Sequence, residues 1–346
     1  MKQQTFKRKQ KIRRRRFDPS IYKAIYALKP LDNWHGPMQV AEDWVVIAVA
    51  AWVAQVAFAH AHPAVAVLVY AHSVFVIGGR QRALADLLHQ SSHRVLAASK
   101  TLNRVLGTYF SGYLVLQSYS GYYWSHVVGH HVNNGTQDDQ DWQGLEAAGL
   151  CAENRSVRAV VRYLVGLFGP IHAISYVRYL VENRIFPAEE RTQERPRRVA
   201  FLGALIATVV GLGSVDLLVL YWLIPFFTSN LWIGGFLELL EHYPANDVGE
   251  TRHLHLSRNR HWGRFVNFYL GVHWEGYHQV HHEFPFLPSW RYAAAHEVLM
   301  ADTEYAALNS VRGFVPTLVA FFEDVRASER RTSGRLPSVP GHHAIE

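Results

Sequence analysis

Histidine is the residue type in this sequence whose number and spacing point to chemistry. The chain contains 21 histidines among its 346 residues, and neutral imidazole is the commonest protein ligand for metal ions. Nine of them stand out by their positions: His89 and His93; His126, His130 and His131; His242; and His278, His281 and His282. A single pair of histidines four residues apart is more often structural, but two separate clusters that end in His-His are not expected by chance.

The spacing of these histidines suits helices. At 3.6 residues per turn, histidines four residues apart lie on one helix face, about 40° from each other. This applies to His126 and His130, whereas the ring of His131 should point about 100° away and serve a second metal or lie where the helix ends. Nine ligands are too many for one ion and suit two, although imidazole suits iron, copper, nickel and zinc alike. The sequence therefore predicts a site for two metal ions.

Two apolar segments should position these clusters. Residues 44–79 contain no Asp, Glu, Lys or Arg and are interrupted by a His-Ala-His-Pro sequence that ends at Pro63. Since about 20 apolar residues cross a bilayer, this segment predicts a helical hairpin with its turn at Pro63. A second hairpin is predicted over residues 199–237, with its turn near the Gly-Leu-Gly-Ser sequence at 211–214. Arginines follow the first hairpin and precede the second, which marks the cytoplasmic side.

The predicted fold is therefore all-α and integral to a membrane, with four transmembrane helices in two hairpins and both termini in the cytoplasm. All nine histidines then emerge on the cytoplasmic face, in a helical cap that holds the two metals. Two further uncharged stretches, residues 105–125 and 163–177, suit interfacial helices better than spans. If the first of them crossed the membrane, the histidines on either side of it could not share a site.

The ends of the chain differ in composition from its apolar middle. Basic residues between positions 7 and 16 supply much of the net charge of +7. Because apolar spans follow and no nucleic-acid motif does, they favour a cytoplasmic N-terminus over nucleic-acid binding. We expect a basic N-terminal segment over 1–43, a membrane domain over 44–295, and a cytoplasmic helix with a disordered tail over 296–346. The single cysteine, Cys151, excludes intrachain disulfides and multi-thiolate zinc sites.

These motifs resemble the membrane fatty acid desaturases and the related hydroxylases and ketolases, a family with three histidine boxes around two hairpins. The resemblance covers roughly residues 40–295 and includes Asp-Asp-Gln-Asp at 138–141 and Glu-Phe-Pro at 283–285. It implies that the nine histidines bind two irons, with dioxygen as co-substrate and no catalytic residue beyond the metal ligands. The animal stearoyl-coenzyme A desaturases have an asparagine four residues before the lone histidine, whereas this chain has Glu238.

Several other residues could ligate or support the metals. Glu238 lies one helical turn before His242 and could bind iron directly, but we expect it to orient a histidine through a hydrogen bond. Asp138 and Asp141 could likewise either orient a histidine through a hydrogen bond or bind a metal directly. Four nearby histidines are spare candidates, for which a polar surface position is the plainer interpretation: His253, His255, His261 and His273.

The resemblance implies oxidation of an unactivated C–H bond. Loss of a second hydrogen from the neighbouring carbon gives desaturation, and return of oxygen gives hydroxylation or a ketone; we expect desaturation. The membrane setting favours an acyl lipid or acyl thioester, and the alternative is a small specialised metabolite, such as the amino acid rhizobitoxine with its enol-ether double bond. A hydrolase is disfavoured because no Gly-x-Ser-x-Gly sequence is present. A metal transporter is disfavoured because the nine histidines lie outside the predicted spans.

The electrons for such a reaction must come from another protein. The only His-Pro sequence, His62-Pro63, lacks following glycines and lies in a predicted non-cytoplasmic turn, so no cytochrome b5 module is recognisable. We expect a separate donor of the ferredoxin, rubredoxin or cytochrome b5 type, attracted by the basic cytoplasmic face. The expected location is a bacterial inner membrane.

Overall fold

The computed structural model describes residues 12–136, 138–150, 155–179, 181–182, 186, 193–244 and 252–332. Within these ranges the chain is helical and has no β-strand, which agrees with the all-α prediction. The α-helices up to the second hairpin are α1 Pro19–Ala27, α2 His35–His60, α3 Pro63–Ser92, α4 Lys100–Tyr109, α5 Tyr119–Tyr122, α6 His131–Asn133, α7 Gln140–Ala147, α8 Val157–Gly166 and α9 Pro170–Tyr179. Those that follow are α10 Glu194–Gly211, α11 Val215–Leu218, α12 Leu231–His242, α13 Arg264–Leu270, α14 His278–Glu283, α15 Tyr292–Leu299, α16 Thr303–Leu308 and α17 Phe314–Thr332.

Helices α2 and α3 form the first predicted hairpin. His62 caps α3, because its Nδ1 atom accepts a hydrogen bond from the backbone N–H of Ala64 at 3.3 Å. Pro63 occupies the first position of α3, where a backbone N–H would have no intrahelical partner. The predicted turn is confirmed, but the helices are longer than the uncharged segment, with 26 and 30 residues. Helix α3 therefore continues from the apolar segment to the first histidine box without interruption.

The second hairpin also turns where the sequence predicts. Helix α10 ends at Gly211, and Gly213 adopts a φ of +66°, a left-handed conformation that favours glycine. The returning segment consists of α11, π-helices at Val219–Leu223 and Phe226–Asn230, and α12. It packs closely on α3, where the hydroxyl of Ser229 donates to the carbonyl of Val74 at 2.6 Å.

Three segments in the described residues are long and apolar enough to cross a membrane: His35–His60, Pro63–Ser92 and Val215–His242. Large apolar side chains project outward from them, for example Trp52, which is 65% exposed, and Leu68, which is 71% exposed. Such a surface suits lipid better than water. Helix α10 has 18 residues, but its first two turns carry one glutamate and three arginines. The fourth span therefore stays a prediction.

The two uncharged stretches that we expected to be interfacial are both broken. Residues 105–125 contain the end of α4, a 3-10 helix at Gly112–Val115, and then α5. Residues 163–177 are divided between α8 and α9. Neither stretch forms one continuous helix of the length that a bilayer requires.

Three hydrophobic clusters join these helices around the histidines. The first joins α2 and α3 to the second hairpin and includes Leu84 and Phe226. The second packs α12 against α8 and α17 and includes Leu237 and Val325. The third joins α1 to α14 and α15. The first and last described helices therefore pack on the body that carries the histidines, while the tail predicted to be disordered lies outside the described residues after position 332.

Candidate metal centre

The nine predicted histidines meet in two adjacent clusters, each of which could hold a metal ion. The five-histidine cluster contains His89, His93, His126, His131 and His281, and the four-histidine cluster contains His130, His242, His278 and His282. Within each cluster, one ring nitrogen of every histidine lies within 4.8 Å of the others. The structure brings all the predicted ligands together, and their binding of metal stays a prediction.

The ends of the two hairpins supply the framework for both clusters. His89 lies in the last turn of α3, and His93 follows as the C-terminal cap of that helix. His242 is the last residue of α12, the end of the second hairpin. The remaining ligands come from the second box, at the end of a π-helix, and from the short helix α14. The packing of one hairpin on the other therefore determines where the clusters form.

A π-helix over Tyr123–His130 changes how the second box is used. In this helix type hydrogen bonds join residues five apart, so His126 and His131 come together, with their Nε2 atoms 3.1 Å apart. Spacing in an α-helix predicts instead that His126 pairs with His130 and that His131 points elsewhere. For the two larger clusters that prediction is wrong, because His130 belongs to the four-histidine cluster, but His126 and His130 also form a group with Asp141 that could hold a metal ion.

The third box supplies both clusters from helix α14. His278 and His282 belong to the four-histidine cluster, and their Nε2 atoms are 3.0 Å apart. His281 belongs to the five-histidine cluster, where its Nε2 atom lies 2.8 Å from the Nε2 atoms of His89 and His131. This helix therefore lies at the boundary between the clusters.

Two buried carboxylates orient histidine rings from the Nδ1 side. A carboxylate oxygen of Asp139 lies 2.9 Å from Nδ1 of His130, and one of Asp86 lies 3.1 Å from Nδ1 of His89. A ring whose Nδ1–H donates to a carboxylate presents its Nε2 lone pair to a metal. Neither carboxylate is among the predicted site residues. The available signals were an acidic residue three positions before a box histidine and the acidic sequence after the second box.

Neutral groups orient three further rings from the same side. Their contacts are the carbonyl oxygen of Leu256 at 3.0 Å from His242, the hydroxyl of Tyr292 at 2.9 Å from His281, and the side-chain amide of Asn134 at 3.2 Å from His282. The side-chain amide oxygen of Asn134 is buried and has no hydrogen-bond partner. Turning this amide so that its oxygen accepts from His282 would satisfy both groups.

The opposite ring atoms face one another at distances that suit a shared cation. In the four-histidine cluster, the Nε2 atom of His278 lies 2.8 Å from that of His242. When Nδ1 carries the proton, each Nε2 presents a lone pair, and two lone pairs at this separation repel. Ligand nitrogens at about 2.1 Å from one ion have a similar separation. The Nε2 atom of His93 is buried without a hydrogen-bond partner, which also suits a ligand. The residues therefore fit metal ions.

Burial keeps most of these rings neutral, as metal binding requires. Burial and neighbouring histidines hold six ring pKa values well below the usual value, those of His93, His126, His131, His278, His281 and His282. His130 differs: burial opposes its charge, but Asp139 and Asp141 raise its pKa to about 10. A metal that binds His130 at neutral pH must therefore displace a proton.

The predicted supporting carboxylates occupy different positions. Asp141 lies 3.6 Å from Nδ1 of His126 and 3.5 Å from Nδ1 of His130. Asp138 is exposed, and its neighbour Asp139 makes the contact with His130. Glu238 belongs to neither cluster, but its Oε1 atom is buried without a hydrogen-bond partner.

The four spare histidines lie outside both clusters. Their contacts, at 2.7 to 3.2 Å, are His253 with Glu283, His255 with Glu304, His261 with Asn309, and His273 with Asp43. His253 and His273 are 3% and 8% exposed. The expected surface position is therefore wrong for these two, which are paired with buried carboxylates.

Known proteins match the region that contains both clusters. A family model described as fatty acid desaturase matches residues 63–311. Dihydrorhizobitoxine desaturase of Bradyrhizobium elkanii is 31% identical over 302 residues, which cover 84% of this chain and 82% of that protein. Two beta-carotene ketolases of Paracoccus sp., from strains N81106 / MBIC 01143 and PC1, are each 25% identical. Their matches cover 58% and 72% of this chain, and 69% and 85% of the ketolases.

Proposed function

The chain belongs to the fatty acid desaturase family, and from that premise we propose that it is a membrane desaturase that uses two irons. Membership of this family makes the chain an oxidoreductase, so the metal transporter is not retained. The observation that carries the proposal is the pair of adjacent clusters, of five and four histidines, at the ends of two apolar hairpins. One cluster would hold each iron.

Two bound irons would supply, with dioxygen and two electrons, an oxidant strong enough to remove hydrogen from an unactivated C–H bond. Desaturation consumes one dioxygen, two electrons and two protons, takes two hydrogens from adjacent carbons, and yields an alkene and two water molecules. The protein holds the ligands in place and aims the substrate. In this chain Asp86 and Asp139 hold His89 and His130 with their Nε2 atoms directed into the clusters.

The substrate we propose is a small saturated metabolite of the dihydrorhizobitoxine type. The support is 31% identity over 84% of the chain to a desaturase named for that compound. An acyl lipid or acyl thioester, which the membrane setting favours, is the second candidate. The two ketolases, at 25% identity, make oxygen insertion the competing outcome of the same centre.

We also propose four membrane spans, with α10 as the fourth and both termini in the cytoplasm of a bacterial cell. Exposed apolar residues on α10 support this, for example Val199, Ile206 and Val210, each more than half exposed. Electrons would come from a separate ferredoxin, rubredoxin or cytochrome b5. The support is the net charge of +7, because a basic surface attracts an acidic donor protein.

The test is turnover under isotopically labelled dioxygen. Membranes containing the protein and a donor system receive dihydrorhizobitoxine or, separately, a mixture of acyl lipids. We expect a product that has lost two hydrogens and carries no label. His281→Ala should give no product, whereas Lys23→Gln, at an exposed position on α1, should behave as the wild type. Label in the product would contradict desaturation, and conversion of acyl lipids alone would contradict the substrate assignment.

A further inference from the structure

A cavity of about 310 Å³ lies between α4 and the beginning of α10, apart from the histidine clusters. Helix α4 packs on α3 through Asn103, whose side-chain amide donates to the carbonyl of Ser91 at 2.9 Å. The α4 residues that line the cavity include Lys100, Arg104 and Thr108, which are spaced four residues apart and therefore share one helix face. None of the nine clustered histidines lines the cavity, so the proposed oxidation does not use this space.

The charge that lines the cavity is predominantly positive. Lys100, Arg104 and Arg197 face a single carboxylate, Glu194. That carboxylate is 4% exposed and already accepts hydrogen bonds from the backbone N–H groups of residues 119 and 120, at 2.7 and 3.1 Å. It lies 3.9 Å from Arg104. One carboxylate that is already hydrogen-bonded cannot neutralise three cations.

Among the residues that the structure describes, the other two cations have no acidic partner. Lys100 forms no hydrogen bond or ion pair with any residue that the structure describes. Arg197 donates to the neutral side-chain oxygen of Gln193 at 3.1 Å. Cations in a concave site concentrate their field and attract an anion.

Thr108 gives an independent indication of a ligand. Thr108 is one of the residues that line the cavity; it is 3% exposed, and its buried Oγ1 atom has no hydrogen-bond partner. A buried hydroxyl without a partner is unfavourable and calls for an explanation. An anionic oxygen in the cavity would accept its hydrogen bond.

The position of the cavity indicates where the anion comes from. After the buried Arg198, helix α10 becomes apolar, and its residues Val199 and Ile206 are 58% and 54% exposed. With α10 as the proposed fourth span, the arginines that precede it lie at the level of the phospholipid headgroups. Basic pockets at this depth suit phosphate headgroups.

We propose that this cavity binds the phosphate group of an anionic phospholipid. The phosphate would receive Lys100, Arg104 and Arg197 as cationic partners and the hydroxyl of Thr108 as a donor. A bound lipid would hold α4 and the first turn of α10 together at the membrane surface. Binding is independent of turnover, so its test does not depend on the proposed substrate.

The experiment counts lipids bound to the purified full chain in a neutral detergent by native mass spectrometry. Phosphatidylglycerol should bind and raise the unfolding temperature, whereas phosphatidylcholine should do neither. The Lys100→Gln/Arg197→Gln variant should bind phosphatidylglycerol at least about tenfold more weakly, because two cations near the phosphate are lost. The control Lys23→Gln/Arg264→Gln removes the same charge from exposed positions elsewhere and should bind as the wild type.

Thr108→Val keeps the shape and charge of the site and should also weaken binding, so it decides the matter if the double variant fails to fold. Equal binding of phosphatidylglycerol by the wild type and Thr108→Val, or by the wild type and a folded double variant, would overturn the proposal. Soluble glycerol phosphate is the third arm. If it stabilises the wild type as well as the lipid does at equal concentration, the ligand is a free phosphate and the lipid assignment is wrong.

Discussion

The Nε2 atom of His126 lies 3.1 Å from that of His131, while His130, directly before His131, belongs to the other cluster. Adjacent histidines thus serve different clusters. The cause is the π-helix over Tyr123–His130, in which residues five apart align. π-Helices are rare and are often found at functional sites, and here one separates histidines that belong to different clusters.

The contact between Asp139 and His130 predicts a difference between neighbouring aspartates. Asp139→Asn should lower iron affinity or turnover by about 10–100-fold, the usual effect of removing an outer partner of a ligand. Asp138→Asn makes the same chemical change at an exposed position and should leave both properties near the wild-type values. Iron titration of the two purified variants measures this. Equal effects in both would show that Asp139 does not orient His130.

Substitution of Glu238 should reduce turnover less than substitution of His281. His281→Ala removes a member of the five-histidine cluster and should abolish turnover. Glu238 belongs to neither cluster, so Glu238→Gln should retain measurable turnover, within about 10–100-fold of the wild type. Both variants are assayed under the same conditions, with iron content determined in parallel. Loss of iron and of all activity in Glu238→Gln would make this carboxylate a ligand.

His296 makes stability depend on pH. Burial, with His261 and Arg312 nearby, lowers the pKa of His296 from 6.5 to about 4. Above pH 6.5 this residue is neutral in both the folded and the unfolded chain. Between pH 6.5 and 4 only the unfolded chain takes up the proton, so the free energy of unfolding decreases as the pH is lowered. When the pH is lowered from about 7 to 5, the unfolding temperature of His296→Gln should therefore decrease less than that of the wild type. An identical loss in both proteins would refute this role.

Reporter fusions test the proposed topology. Fusions near residues 62 and 214, in the two hairpin turns, should report the outside of the cell. Fusions near 100, 190 and 300 should report the inside. Opposite results at 100 and 140 would show that the chain crosses the membrane between the first and second histidine boxes. The two boxes would then lie on opposite faces of the membrane and could not share a metal centre.

The hairpins and the set of clustered histidines were predictable because their signals are local. A run without charge gives the length of a hairpin, and Pro63 and Gly213 give its turns. Box spacing selected eight of the nine clustered residues, and the lone His242 was selected by its position at the end of the second hairpin. The lengths of α2 and α3 were underestimated because charged residues at their ends are buried in the protein, as with Arg80, which pairs with Asp43 at 3.1 Å.

The division of the ligands and most of their supports was not predictable. Box spacing assumes an α-helix, whereas packing produces a π-helix, and this moved His130 to the other cluster. Leu256 and Tyr292 support rings of His242 and His281 from segments 14 and 11 residues away in sequence. No spacing rule identifies such contacts, because they depend on how segments distant in sequence pack around the ends of the hairpins.

The most direct test of the central claim is the number of irons per chain in protein purified from iron-replete cells, measured together with zinc by elemental mass spectrometry. The two clusters predict about two irons per chain. Removal of one ligand from the four-histidine cluster, in His242→Ala, should lower this number to about one, while His255→Ala, outside both clusters, should leave it at about two. Zinc alone in the presence of iron, or two irons retained by His242→Ala, would contradict the account.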